Sequence, residues 1–271
     1  MTNFQKVVRY IAIGLAALLT VSIVGGIISA VGFFGRFMQS DATTDDMKIY
    51  TISSEIKNLY IDINAADITL KQGETFSVKS NLKNLTVKEK NGILNIKDSM
   101  KLFQNYNNAT LIITIPTDTE FEKAELKTGA GRLTAHTLCA EVLDCEFGAG
   151  EVKIDTLSAS NEADIDGGAG KITISGGRIN NLDFDMGVGR LNFTSRLTGE
   201  CDFDLGVGES NITLLGTKDD YILEIEKGLG NITVDGDNIT NTSGLGNGQN
   251  KVDMSGGIGA INVMFKEINF D

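Results

Sequence analysis

The chain of 271 residues contains one proline, one histidine, three cysteines and no tryptophan. These scarcities exclude several classes of function. Cys139, Cys145 and Cys201 are too few and too scattered for a disulfide framework or a zinc site. The lone histidine, His136, has no serine or cysteine placed to use it as a base, so the common nucleophilic constellations are absent. Positive charge is also short: 24 Lys and Arg stand against 36 Asp and Glu, a formal charge of −12. Proteins hold nucleic acid by neutralising its phosphates with Lys and Arg, so this balance argues against a nucleic-acid partner.

What the chain has in plenty is glycine, 31 residues without a G-X-Y period, beside 41% apolar residues. That composition predicts many short strands joined by tight turns. Ahead of the glycine-rich part, between Arg9 and Arg36, runs YIAIGLAALLTVSIVGGIISAVGFFG, 26 residues without a charge. A helix over residues 10–35 would measure roughly 39 Å, enough to cross a hydrocarbon layer ~30 Å thick with some tilt. The run is too long for a usual signal-peptide core, and no A-x-A-like cleavage site follows it closely, so a retained single-pass anchor is expected. Lys6 and Arg9 before it, and Asp41, Asp45 and Asp46 after it, predict a cytoplasmic tail at 1–9, a linker at 36–48 and an extracellular domain at 49–271 of the cell membrane. Ser22, Gly26 and Ala30 form a small-xxx-small face on which two anchors could pair as a homodimer.

Within the domain, Gly-x-Gly recurs at 129, 148, 168, 187, 206, 228 and 257, at intervals of 19, 20, 19, 19, 22 and 29 residues. Five and three residues before the first glycine stand apolar pairs such as Leu143/Cys145, Leu182/Phe184 and Cys201/Phe203. Two and four residues after the second come pairs such as Val152/Ile154 and Leu191/Phe193, whereas after Gly208 the pair is displaced to Ile212/Leu214, which predicts a slipped register there. Alternation on both sides of a glycine corner means two half-buried strands per repeat. The expected fold is therefore all-β: a single-domain β-solenoid of 19–20-residue coils, regular over 129–265, with successive coils pairing in parallel ~4.8 Å apart. LYIDINAADITL at 59–70 fits the same frame with Asn64-Ala65-Ala66 at the corner. Residues 71–128 break the period, with a hairpin expected around Asn91-Gly92 and a strand, TLIITIP, ended by Pro116. They would cover one end of the stack, leaving the other to the insertion at 237–250 or the tail KEINFD.

With its anchor, its N-G-x-L-x-I hairpin (Asn91, Gly92, Leu94, Ile96), its strand closing in Ile115-Pro116 and its repeated G-x-G-x-h-x-h, the chain resembles the bacterial putative-adhesin domain, a domain of unknown function also found in LiaG-like envelope proteins. The resemblance covers roughly residues 50–265. It implies a surface-exposed β-solenoid of the cell envelope and carries over no catalytic residues.

The outward positions before each corner are Glu125/Lys127, Asp144/Glu146, Asp164/Asp166, Asp183/Asp185, Asp202/Asp204 and Glu224/Glu226, eleven carboxylates in twelve places. Most of the net charge should therefore lie on one face. Like charges ~4.8 Å apart repel by about 0.9 kcal/mol at the dielectric of water and about 3.5 kcal/mol at an effective value near 20. Counter-ions, raised pKa values or a basic partner would offset that cost. The face reads first as a solvated surface that resists aggregation. Asp164, Asp166, Asp183, Asp185, Asp202 and Asp204, at its centre, are the candidates to collect Ca²⁺ or Mg²⁺ or a cationic partner. No other cofactor is expected. On the opposite strand Arg132, Glu151, Lys171, Arg190 and Glu209 alternate in sign enough to neutralise one another.

These features predict a non-catalytic, adhesin-like binding or structural module of the bacterial cell envelope, with an envelope component or cationic surface as partner. One alternative is an envelope-stress accessory acting through its anchor. Another is a polysaccharide-active β-helix enzyme, which short regular coils without long loops to wall a cleft disfavour.

Overall fold

The computed structural model describes residues 47–99, 108–226, 228–240 and 242–267. The apolar run at 10–35, with the expected anchor, lies outside the described residues, as do the tail at 1–9 and the linker up to residue 46. Among the described residues, no helix is long and apolar enough to cross a membrane.

Alternating apolar residues flank each glycine corner, and each strand continues through the corner. Strand β2 (Asn58–Gly73) forms one coil, β7 (Phe121–Ile174) winds through three, and β8 (Arg178–Leu215) through two. β2 lies parallel to the first coil of β7, with Leu59 against Ala124 and Ile68 against Leu133. The last coil of β7 lies parallel to β8, with Ile165 against Phe184 and Ile172 against Leu191. Inward side chains of the two strand layers meet between them. At the centre Phe184, Phe193 and Phe203 form one cluster: Phe184 stacks on Phe203 at 5.7 Å between centroids, and Phe193 meets Phe203 edge-on at 5.3 Å.

The corners show why glycine recurs. Gly189 has φ +143, and a Cβ on it would collide with the carbonyl oxygen of Gly170 in the coil behind; a Cβ on Gly187 would likewise meet the carbonyl of Gly168. At every corner of the stack the missing Cβ points toward the preceding coil in space. Among the described residues, the corner of β2 has no glycine. On either side of Asn64-Ala65-Ala66 the strand pairs with the outer coil, at Asp62 against Lys97 and at Asp67 against Thr110. At this corner the carboxylate of Asp98 accepts from the Asn64 amide at 2.9 Å and from its side-chain Nδ2 at 2.6 Å.

Both ends are built out of chain order. At one end β5 (Ile93–Asp98) and β6 (Thr110–Pro116) together form a coil outside β2, although they follow it in sequence. Antiparallel strands finish that end: β4 (Leu85–Lys90) on β5, β3 (Ser77–Ser80) on β6, and β1 (Lys48–Thr51) on β3. Exposed Lys88, Glu89 and Lys90 guard the β4 edge against further pairing. At the other end the expectation that successive coils pair fails. β13 (Asn250–Lys266) pairs with β8 on one side and with β9 (Tyr221–Glu226) and β10 (Leu229–Val234) on the other, so the last coil in sequence lies between the two before it. The linker from Gly216 carries the chain past one coil width through a 3-10 turn, Lys218–Asp220, whose Asp220 side chain accepts from the Thr217 amide at 2.7 Å. Asn250 binds both neighbours, accepting from the Gly199 amide at 3.3 Å and donating to the Asp220 carbonyl at 2.8 Å. The insertion at 237–250 supplies the covering strands, β11 (Asp237–Ile239) on β10 and β12 (Thr242–Leu245) on β9.

The slipped register expected after Gly208 is also corrected. Ser210 pairs with Ile261 and Ile212 with Val263, in step with every other coil. A serine, only 6% exposed, takes an inward place, and Ile212 and Leu214 follow in the next two. Beneath this corner a crevice of about 20 Å³ is lined by Met186, Leu205, Ser210 and Ile261.

Two stability changes should follow. Gly189→Ala is expected to cost about 3 kcal/mol or more, since both the backbone angle and the approach of the next coil forbid a Cβ; Ala169→Ser, at an apex, should change stability by less than ~0.5 kcal/mol. Ser210→Val should raise stability by about 1 kcal/mol by filling an apolar seat. Urea unfolding of the three variants measures both, and a neutral Gly189→Ala would contradict the corner geometry.

Candidate interaction site

In the layer before each corner, outward side chains stack into two columns. One runs Asp164, Asp183, Asp202, Asp253, Glu224 and the other Asp166, Asp185, Asp204, Ser255, Glu226. The displaced coil alters what the repeat alone implies. Asp253 and Ser255 separate Asp202 and Asp204 from Glu224 and Glu226, and the Ser255 hydroxyl donates to Asp204.

Lysines cluster at the ends of these columns. Lys123 lies 3.5 Å from Glu125 and 3.7 Å from Asp144, while Lys127 contacts Glu125 and Glu146. At the far end Lys251 lies 2.7 Å from Asp253 and 3.9 Å from Glu224. Between them, Asp164, Asp166, Asp183, Asp185, Asp202 and Asp204 form no ion pair among the described residues. Partial burial, then Asp166 and Asp183, push the Asp164 carboxyl above its ordinary range. Burial followed by Asp183 and Asp204 does the same to Asp185, and burial followed by Asp253 and Asp183 to Asp202. The six carboxylates singled out by sequence are thus brought onto one surface. They form a ladder and not a cage: among the described residues, no three His, Cys, Asp or Glu side chains converge as a single metal ion requires.

Beside the second column the surface is recessed. Two adjoining hollows of about 570 and 420 Å³ share Asp185 and Gly187. Asp62, Lys127, Glu146, Asp166, Asp185 and Asp204 wall them, and the first glycines of the corners, Gly129, Gly148, Gly168, Gly187, Gly206 and Gly257, make the floor. Residues without side chains next to residues with long ones produce a trough. From Asp62 to Ser255 it crosses six coil spacings, roughly 29 Å.

The opposite layer is neutral in the way expected. Arg132 lies 3.3 Å from Glu151, Lys171 3.5 Å from the same residue, and Arg190 3.2 Å from Glu209. His136, on the outside, pairs with Asp155 at 3.1 Å. One feature of this layer escapes sequence reasoning. Thr233 donates to Asn262 at 2.8 Å, Asn262 to Asn211 at 2.9 Å and Asn211 to Asn192 at 3.2 Å, a hydrogen-bonded ladder across four coils. Its signal was an Asn or Thr three residues past the second glycine at every corner but one, where Lys153 stands. Cys145 and Cys201 are buried and free; burial lifts the Cys145 thiol well above its ordinary range and that of Cys201 to about 11. Cys139 is free and half-buried.

The carboxylate shifts fix a pH dependence. Asp164, Asp185 and Asp202 have folded-state pKa values above their unfolded ones, so the penalty they impose grows as pH rises through the raised values and vanishes below the ordinary Asp value of about 3.9. The thermal midpoint of the domain should therefore rise as pH falls from neutral toward that value, and the rise should shrink in the triple variant Asp164→Asn, Asp185→Asn, Asp202→Asn. A midpoint that falls over the same interval in soluble protein would contradict the arrangement.

Several solved structures are similar to this chain at low sequence identity. A putative cell adhesion protein from Clostridium sporogenes is 16% identical, with a TM-score of 0.31, over 81% of this chain and 99% of that one. A putative adhesin from Bacteroides fragilis is 15% identical, with a TM-score of 0.43, over 80% and 95%. Another from Parabacteroides merdae is 14% identical, with a TM-score of 0.32, over 82% and 95%. No curated protein matches. The family model described as Toastrack DUF4097 matches residues 56–247, stopping just short of β13, the last coil in sequence, and spans well over half of the sequence: the chain belongs to the Toastrack DUF4097 family.

Proposed function

We propose that this protein is a membrane-tethered, extracellular, non-catalytic binding module of the bacterial cell envelope, and that its acidic trough receives an extended cationic partner. The apolar run at 10–35 and the charges around it support the tether and its orientation. The observation that carries the binding assignment is the trough's centre. Asp166, Asp185 and Asp204 line it one coil apart, and among the described residues their columns draw lysine only at the ends. A row of partner cations would relieve repulsion that the fold leaves in place. A row suits the geometry better than one Ca²⁺, which takes six to eight oxygens around a single point. Hydrolysis of a glycan would call for an acid and a base in contrasting environments. Here neighbouring carboxylates repeat the same surroundings from coil to coil.

Deca-lysine titrated against the protein tests this reading. Binding should be measurable at low ionic strength and weaken steeply with salt, because the contact is surface electrostatics. Replacing Asp166, Asp185 and Asp204 with Asn should weaken it about tenfold or more, whereas Glu151→Gln and Glu209→Gln on the other layer should leave it unchanged. No binding at low salt, or equal loss from the two sets of variants, would sink the proposal.

A further inference from the structure

The corner edge carries a second pattern that the acidic columns do not explain. The middle residue of each Gly-x-Gly points outward at the apex. In spatial order these residues are Ala130, Ala149 and Ala169, then Val188, Val207, Ile258 and Leu229. Size steps up along the stack from alanine to valine to the isomers isoleucine and leucine, with Ile258 lying between Val207 and Leu229 although Leu229 precedes it in the chain. Ile258 is 45% exposed and Leu229 68%. Folding does not require these larger side chains, since alanine occupies the same apex in three coils with the same corner. Aliphatic side chains set side by side in solvent mark a contact surface.

The ridge borders the trough. Gly187, Gly206 and Gly257 form the floor, Asp185 and Asp204 the wall, and Val188, Val207 and Ile258 each follow a floor glycine by one residue. Charge selects the occupant. An anionic bilayer would be repelled by the carboxylates, and a second copy of this chain would bring acid against acid. We propose that this ridge docks an extended peptide segment alternating basic and apolar residues. Side chains of such a segment point alternately to opposite sides. Its basic residues then face Asp185 and Asp204 while its apolar residues lie across Val188, Val207, Ile258 and Leu229. The inference rests on the trough as a cation site and adds the ridge as the element that selects for apolar side chains.

The full chain in phosphatidylcholine nanodiscs, with empty nanodiscs as the blank, is titrated with labelled decapeptides of alternating Lys-Leu, Lys-Ser and Glu-Leu, read by fluorescence anisotropy. Lys-Leu should bind about tenfold more tightly than Lys-Ser, as expected for partial burial of two aliphatic side chains, and Glu-Leu should not bind. The double variant Ile258→Ala, Leu229→Ala, whose replacements match the native alanine corners, should keep its thermal midpoint and its Lys-Ser affinity but lose the Lys-Leu advantage. Unchanged Lys-Leu binding by that variant overturns the ridge while leaving the trough standing. Glu-Leu binding as tight as Lys-Leu overturns the choice of occupant. If neither lysine peptide binds the wild-type chain, the trough reading itself falls, and this one with it.

Discussion

The close stacking of backbone on backbone at the corners is the constraint from which the rest follows. Where Gly187 lies over Gly168, and Gly189 over Gly170, no Cβ fits between the coils. The two strand layers are thereby held at a common spacing and in one register, and each residue acquires a column-mate in the coils on either side.

Columns put like beside like, and the chemistry of each column then decides whether stacking helps or hurts. Apolar columns gain, as Phe184 over Phe203 shows. Amides gain as well, because each carries both donor and acceptor, and the Asn192–Asn211–Asn262 ladder links coils far apart in sequence. Charged columns gain only when the sign alternates, as with Arg132, Glu151 and Lys171. The two acidic columns depart from all three solutions. Among the described residues they bear lysine at their ends, and partial burial, followed by the neighbouring carboxylates, raises the pKa values of Asp164, Asp185 and Asp202 in the middle. Features that oppose stability in an otherwise consistent fold are where function is to be sought.

The stack also has to end without leaving open edges. Each end uses the same device: the chain runs outward to lay down an outer coil and antiparallel cover, then returns to pair further in. At the far end this return leaves β13 paired on both sides, and β9 and β10 depend on it for their parallel neighbour. The family match closes at residue 247, before this coil begins.

Much of this was legible in the residues themselves. The period of the Gly-x-Gly pairs, the two-residue alternation around them and the recurrence of Asp two and four places ahead settle the coil, its inward residues and the six central carboxylates, because each is a local consequence of strand geometry. Ser210 misled, since a polar residue in an inward seat looks like a shift of register when only periodicity is read. The coil order was beyond local reasoning. Residues 206, 228 and 257 carry the same corner, and any of them can stack on any other. Only the tertiary structure decided that Asp253 and Ser255 enter the acidic columns ahead of Glu224 and Glu226, that the glycine floor and the carboxylate wall form a trough, and that Ile258 lies between Val207 and Leu229 on the apex ridge. Those properties depend on which coil lies against which, and a repeat that makes every coil alike leaves that choice to the length of the links and the fit of the packed whole.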